Sequence, residues 1–147
     1  VGGMGMKFIL RIGINIGACH LFMLFCAFFI GELIDELSDY PMFAILMFPI
    51  LNIAILYGVN LLFNKIKFLR ISKSKSLWSV TLGIAILGLY FLYEALFPDY
   101  SEYNSIVAKV ALDGANGLLV MNCLIMLILS IILNFTFKNI SQEHSKY

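Results

Sequence analysis

Apolar residues gather into four runs along this chain, separated by three polar stretches and followed by a polar tail. The first run, Phe8 to Ile30, is interrupted only by Arg11, Asn15 and His20. The second is Met42 to Phe63 behind Pro41, the third Leu77 to Phe97 ahead of Pro98, and the fourth Gly117 to Phe137. About 20 residues of helix cross a hydrocarbon core, so each run is long enough to span a membrane. The pattern predicts an all-α polytopic membrane protein, a bundle of four transmembrane helices over residues 8–30, 42–63, 77–97 and 117–137. Residues 6–147 read as one membrane domain. VGGMG, residues 1–5, reads as a leader or trimmed remnant, with Met4 or Met6 as the natural start. The first run is too long for the ~7–15-residue core of a signal peptide and lacks its small-residue cleavage site, so it is expected to stay in place.

The connections alternate in charge. GELIDELSDYP carries Glu32, Asp35, Glu36 and Asp39 with no cation, whereas Asn64 to Ser76 carries Lys65, Lys67, Arg70, Lys73 and Lys75 with no acid. The longest connection, Pro98 to Asn116, holds Asp99 and Glu102 at the spacing of a helix capping pair, ahead of a short surface helix over SIVAKVAL. Asp113-Gly114 and Asn116-Gly117 are expected to break that helix before the fourth run. Pro49, inside the second run, removes a helix hydrogen bond and predicts a kink.

Composition agrees with the spans. Hydrophobic residues make up 61% and charged residues 13%, against roughly 45–50% and 25% in soluble domains. The net charge of +1 hides a sharp segregation. With the basic stretch on the cytoplasmic side, Lys7, Arg11, the five cations, Lys138 and Lys146 lie inside and only Lys109 outside. Glu143 is then the only acid inside. Lys and Arg in short loops hold their side of the membrane, which predicts N-in/C-in topology in a bacterial inner membrane. The sequons at Asn134 and Asn139 would be embedded or cytosolic, and so unused. The basic cluster lies between two spans rather than on a soluble face, so no nucleic-acid partner is expected.

Candidate chemistry is sparse. Cys19, Cys26 and Cys123 fall inside apolar runs at no ligand or disulfide spacing. No nucleophile–base pair, phosphate loop, metal motif or carboxylate pair can be assembled, so no catalytic residue, metal or cofactor is expected. Helical spacing gives each span one less greasy face: Gly13, Gly17, His20, Ala27 and Gly31; Pro49, Asn52, Leu56 and Asn60; Ser79, Gly83, Tyr90 and Glu94; and Cys123, Ser130 and Asn134. Gly13-x-x-x-Gly17 is the small-residue spacing that lets helices approach closely, and it predicts a helix-packing or homo-oligomer face. Asn15, Asn60 and Asn134 lie at matching depth and predict one hydrogen-bonded layer. His20 and Asn52 fall near mid-membrane, where a titratable or amide group bonds to a facing helix or serves a transport path. Arg11, one turn inside the boundary, is expected to snorkel to lipid phosphates. Glu94 is expected to cap, to snorkel or to meet Lys109 at the outer surface. The acidic rim of Glu32, Asp35, Glu36, Asp39, Glu94, Asp99, Glu102 and Asp113 reads either as topology or as a docking surface for a basic partner. The basic stretch reads as a docking site for anionic lipid or an acidic cytosolic protein.

The layout resembles, in span number and size, two groups of bacterial proteins. One is the membrane-embedded immunity proteins that neutralise pore-forming toxins. The other is the small membrane subunits of anti-phage defence systems, such as the four-span component of Kiwa. The resemblance implies a non-enzymatic protein acting by oligomeric assembly and partner binding. A small transporter or channel using His20, Asn52 and Glu94 is the alternative. Small multidrug exporters carry an essential Glu in mid first span, and this chain has none there.

Overall fold

A computed structural model describes the backbone of residues 2–37 and 41–145 and the side chains of 5–25 and 46–139. The chain is all-helical: α1 is Gly2–Leu37, α2 Pro41–Phe63, α3 Lys73–Leu96 and α4 Ile106–Ser145. All four are long and apolar enough to cross a membrane, over Gly5–Phe25, Leu46–Phe63, Lys73–Leu96 and Ile106–Asn139. At about 1.5 Å per residue, α2 and α3 match a hydrocarbon core of ~30 Å with little to spare, whereas α1 and α4 outrun it.

Helix ends depart from expectation in three places, each for a local reason. The helix α3 starts four residues before the apolar run, because Ser72 caps it: its hydroxyl accepts from the Lys75 N–H at 3.3 Å. Its last turn closes at Phe97, whose N–H bonds to the Tyr93 carbonyl, and Pro98 prevents continuation. Asp99 and Glu102 do not cap a helix; Asp99 accepts from the Ser101 N–H at 3.0 Å in a tight turn. The cap of α4 is Ser105, whose hydroxyl accepts from Ala108 N–H. From there α4 runs unbroken through Asp113-Gly114 and Asn116-Gly117, correcting the expected break. A helical glycine costs about 1 kcal/mol relative to alanine. Here Tyr100 donates to Asp113 Oδ1 at 2.6 Å, and Asn116, which is buried, reaches toward the Glu94 carbonyl of α3. These tethers hold the segment in place. The short surface helix expected over SIVAKVAL is simply the first turns of α4. The helix α2 likewise runs through Pro49, which is buried.

Around the bundle the order is α1, α3, α4, α2. Helix α3 packs against α1 and α4, α2 packs against the same two from the other side, and α2 meets α3 across the diagonal. Helices α1 and α4 are the more widely separated diagonal pair, with no Cα of one within 8 Å of the other among the described residues, and their side chains share the core between them. The apolar core is small: Cys19 and Met23 from α1, Ile53 and Leu56 from α2, Val80, Ile84, Leu87 and Phe91 from α3, and Cys123 and Met126 from α4. Large apolar side chains such as Leu21, Leu61, Leu89 and Ile132 face outward, as they do when lipid rather than water surrounds the protein.

Close helix approach occurs at glycines of α3. A Cβ on Gly83 would stand 3.0 Å from Asn15 Cβ and 3.4 Å from the Ile12 carbonyl, and one on Gly88 would stand 3.3 Å from Cys123 Cβ. Gly13 and Gly17 serve no such contact among the described residues: both are exposed, with nothing within 4 Å of a Cβ. The inward stripe of α1 is instead Arg11, Asn15, Cys19 and Met23, at a regular spacing of four. The stripes expected on α2 and α4 are buried throughout; on α3, Ser79 and Gly83 are buried, Glu94 is half-buried and Tyr90 is exposed. Gly83→Ala should therefore destabilise the detergent-solubilised protein by about 1–3 kcal/mol through overpacking. Gly13→Ala should be neutral or slightly stabilising. Equal thermal or denaturant midpoints for the two variants would contradict the α1–α3 packing.

Candidate functional site

The polar residues of the spans assemble into two adjoining clusters near the end that carries the α2–α3 loop. Arg11 organises the first. It is 0% exposed and makes five hydrogen bonds, none to a carboxylate. Nη1 donates to Asn64 Oδ1 at 2.8 Å and to the Leu69 carbonyl at 2.9 Å. Nη2 donates to Asn60 Oδ1 at 2.7 Å, to the Asn60 carbonyl at 3.1 Å and to Ser76 Oγ at 2.8 Å. The guanidinium carbon lies 5.7 Å from the Phe63 ring centroid, within cation–π range. Nε is buried without a partner among the described residues. Arg11 thus corrects the expected snorkelling: it turns into the bundle and ties α1 to α2, α3 and the connecting loop.

One turn deeper, Asn15 and Asn60 form a reciprocal amide pair. Asn60 Nδ2 donates to Asn15 Oδ1 at 2.6 Å, and Asn15 Nδ2 donates back to Asn60 Oδ1 at 3.2 Å and to Ser79 Oγ at 3.1 Å. Ser79 in turn donates to the Ser76 carbonyl at 2.6 Å. Asn60 Oδ1 receives both Arg11 and Asn15, so it is the joint of the cluster.

The second cluster is a ring on α2, α3 and α4. Tyr57 donates to Asn134 Oδ1 at 2.7 Å, and Asn134 Nδ2 donates to Thr81 Oγ1 at 2.7 Å. Thr81 and Ser130 hydroxyls lie 2.5 Å apart, and Ser130 Oγ lies 3.0 Å from the Tyr57 hydroxyl. If Thr81 donates to Ser130 and Ser130 to Tyr57, every hydroxyl donates once and accepts once and the ring closes, with the second Asn134 Nδ2 hydrogen outside it. Asn134 therefore belongs to this ring and not to the layer of Asn15 and Asn60. The expected three-amide layer is corrected, because Asn134 sits on α4, diagonally across from α1, and its amide is taken up by Tyr57 and Thr81.

The other expected site residues stay apart. His20 is half-buried with its ring edge-on to Phe91 at 5.7 Å. Asn52 is buried, with Oδ1 lacking a partner among the described residues. Glu94 forms no ion pair with Lys109, whose ammonium lies over the Tyr100 ring instead. No hydrogen bond joins His20, Asn52 and Glu94 among the described residues. Glu32, Asp35, Glu36 and Asp39, together with Cys26, Ala27, Gly31 and the tail beyond 139, lie outside the described side chains. Asp99, Glu102 and Asp113 are exposed at the end opposite the basic loop. There the Ser101 N–H holds the Asp99 carboxyl below the usual range, and the Asp113 carboxylate raises the Tyr100 phenol above its own. Among the described residues no three His, Cys, Asp or Glu side chains come together to hold a metal ion.

The loop itself is shaped from within. Asn64 Oδ1 accepts from Arg11 and, at 3.5 Å, from the Ile71 N–H, while Arg70 Nε donates to the Asn64 carbonyl at 3.0 Å. Lys65, Lys67, Lys73 and Lys75 are exposed, as are Ile66 and Phe68, the latter at 72%. Sequence reasoning missed Asn64, Ser76, Thr81 and Tyr57. The available signal was their position, each within about one turn of an expected polar residue.

Asn134→Leu should cost about 1–2 kcal/mol, because Tyr57 and Thr81 both lose a partner. Tyr57→Phe should then cost less in the Asn134→Leu background than alone, as expected when a ring is already open. Denaturant unfolding of the four proteins gives the comparison, and strict additivity would contradict a closed ring.

The chain matches no protein-family model, no curated protein and no solved structure, so the assignment of a role rests on its own residues and geometry.

Proposed function

We propose that this is a non-enzymatic, multi-pass protein of a bacterial inner membrane, N-in/C-in, that acts by assembly and by binding a partner at the basic α2–α3 loop. The observation that carries this reading is the loop's construction. Its inner face is pinned by Arg11 and Asn64, while its outer face presents cations interleaved with exposed Ile66 and Phe68. A preordered charged and apolar surface loses little entropy on binding, which favours recognition over mere topology. An acidic cytosolic protein fits that chemistry. The specific role that suits such a four-span protein is a membrane subunit of an anti-phage defence system, Kiwa-like, or an immunity component. Self-association through the outward Gly13/Gly17 face belongs to the same proposal. Assembly size in detergent, before and after Gly13→Ile with Gly17→Ile, is its check.

A transporter or channel draws less support. Outside the unpartnered Oδ1 of Asn52, the buried amides and hydroxyls that line the two clusters are engaged with one another rather than with open space.

Docking is tested with Lys65→Gln together with Lys67→Gln, since Arg70, Lys73 and Lys75 still hold the loop on its side of the membrane. Cysteine labelling should place residues 64–76 in the cytoplasm in both proteins. Recovery of cytosolic partners should then fall in the double variant at low salt, and the difference between the two proteins should narrow as salt rises and screens the charges. Equal recovery would reduce the loop to a topological signal and favour the transporter reading.

A further inference from the structure

Neither polar cluster nor the loop accounts for the groove between the start of α3 and the distal part of α4. It encloses about 310 Å³ and is lined by Lys73, Ser74, Trp78, Asn134, Phe135 and Lys138, among others. Trp78 and Phe135 form an aromatic wall, their rings perpendicular and 6.2 Å apart. Asn134 is buried at its inner side, with its amide oxygen and one amide hydrogen engaged in the ring of hydroxyls. The polar offer lies with the cations: Lys73 from α3 and Lys138 from α4, both exposed, with no acid in the lining among the described residues. Two ammonium groups on the same groove without a carboxylate repel each other, and an anion between them relieves that. The positive end of the α3 dipole adds to the field, since α3 begins at Lys73. Trp78 lies little more than one turn further in, at the depth where an indole suits a membrane interface. Charge at the mouth and aromatic surface below match one molecule in particular, an anionic lipid with its phosphate above its chains.

We propose that this groove holds an anionic phospholipid, its phosphate between Lys73 and Lys138 and its upper acyl chain along Trp78 and Phe135. The site shares Lys73 with the end of the basic stretch but none of Lys65, Ile66, Lys67 or Phe68, and it does not depend on a protein partner there.

Trp78 is the only tryptophan in the chain, so its fluorescence reports on the groove directly. The protein is reconstituted in phosphatidylcholine vesicles that carry acyl-brominated phosphatidylglycerol or, at equal mole fraction, acyl-brominated phosphatidylcholine. The brominated anionic lipid should quench Trp78 more strongly. Its relative binding constant should fall about 30-fold in Lys73→Gln with Lys138→Gln, at about fivefold for each cation removed. Lys65→Gln with Lys67→Gln, at residues that do not line the groove, should lower the preference far less than loss of the two groove lysines. Equal quenching by the two lipids in the unaltered protein would overturn the proposal, as would a preference that survives loss of both groove lysines. A preference lost only in the loop variant would move the lipid to the loop. Protection of Trp78 from both lipids, relieved by diluting the protein in the bilayer, would give the groove to a second copy of the chain.

Discussion

A guanidinium cannot shed its proton at any accessible pH, so burying Arg11 commits the fold to stabilising a permanent positive charge. Removing such an ion from water costs several kcal/mol even after relaxation, and no carboxylate among the described residues offsets it. What it supplies is a set of dipoles: two backbone carbonyls, two amide oxygens and a hydroxyl, all at 2.7–3.1 Å. Two features make that set effective. The Asn60 carbonyl lies in the last turn of α2, where helix dipoles accumulate negative potential. The Leu69 carbonyl belongs to the loop, so the loop must adopt one path for the charge to be satisfied. Much of the structure near the basic end follows from this requirement, including the capped start of α3 that brings Ser76 into range.

Lipid tails are as apolar as leucine, so apolar burial does little to choose one arrangement of four helices over another. The polar clusters do that choosing. Arg11, Asn15, Asn60 and Ser79 bind α1, α2 and α3 together, while Tyr57, Thr81, Ser130 and Asn134 bind α2, α3 and α4. Helices α2 and α3 belong to both clusters, which agrees with their contact across the diagonal. The close approaches at Gly83 and Gly88 then let α3 lie against α1 and α4 without a gap. Specification concentrated at one end leaves the same end ordered enough to present a surface.

Apolar run length was sufficient to read four helices and their hairpin plan, because crossing a hydrocarbon core imposes a length that few other structures need. Depth was legible too: Asn15, Asn60 and Asn134 do lie toward the basic end. The direction each residue faces was not legible. Depth alone groups Asn134 with Asn15, yet α4 stands diagonal to α1 and Asn134 bonds to Tyr57 and Thr81 instead. The small residues of α1 point to Gly13 and Gly17, while the buried stripe follows Arg11, Asn15 and Cys19 two positions away. Arg11 near a boundary looked free to reach lipid phosphates; only the neighbouring carbonyls of a loop distant in sequence give it a reason to turn inward. Helix breakers at Asp113-Gly114 failed for a similar reason, since Tyr100 and the Glu94 carbonyl act from outside the local segment.

The claim that an inward-facing Arg11 braces the bundle and its loop is tested most directly by a double-mutant cycle between Arg11 and Asn60. Arg11→Met, Asn60→Leu and the pair are compared with the unaltered protein by reversible denaturant unfolding in detergent. Hydrogen bonds to a buried charge predict a coupling of about 1.5–3 kcal/mol between the two positions. An Arg11→Met variant of unchanged stability, or single effects that add to within about 0.5 kcal/mol, would place the guanidinium at the lipid surface and contradict the account.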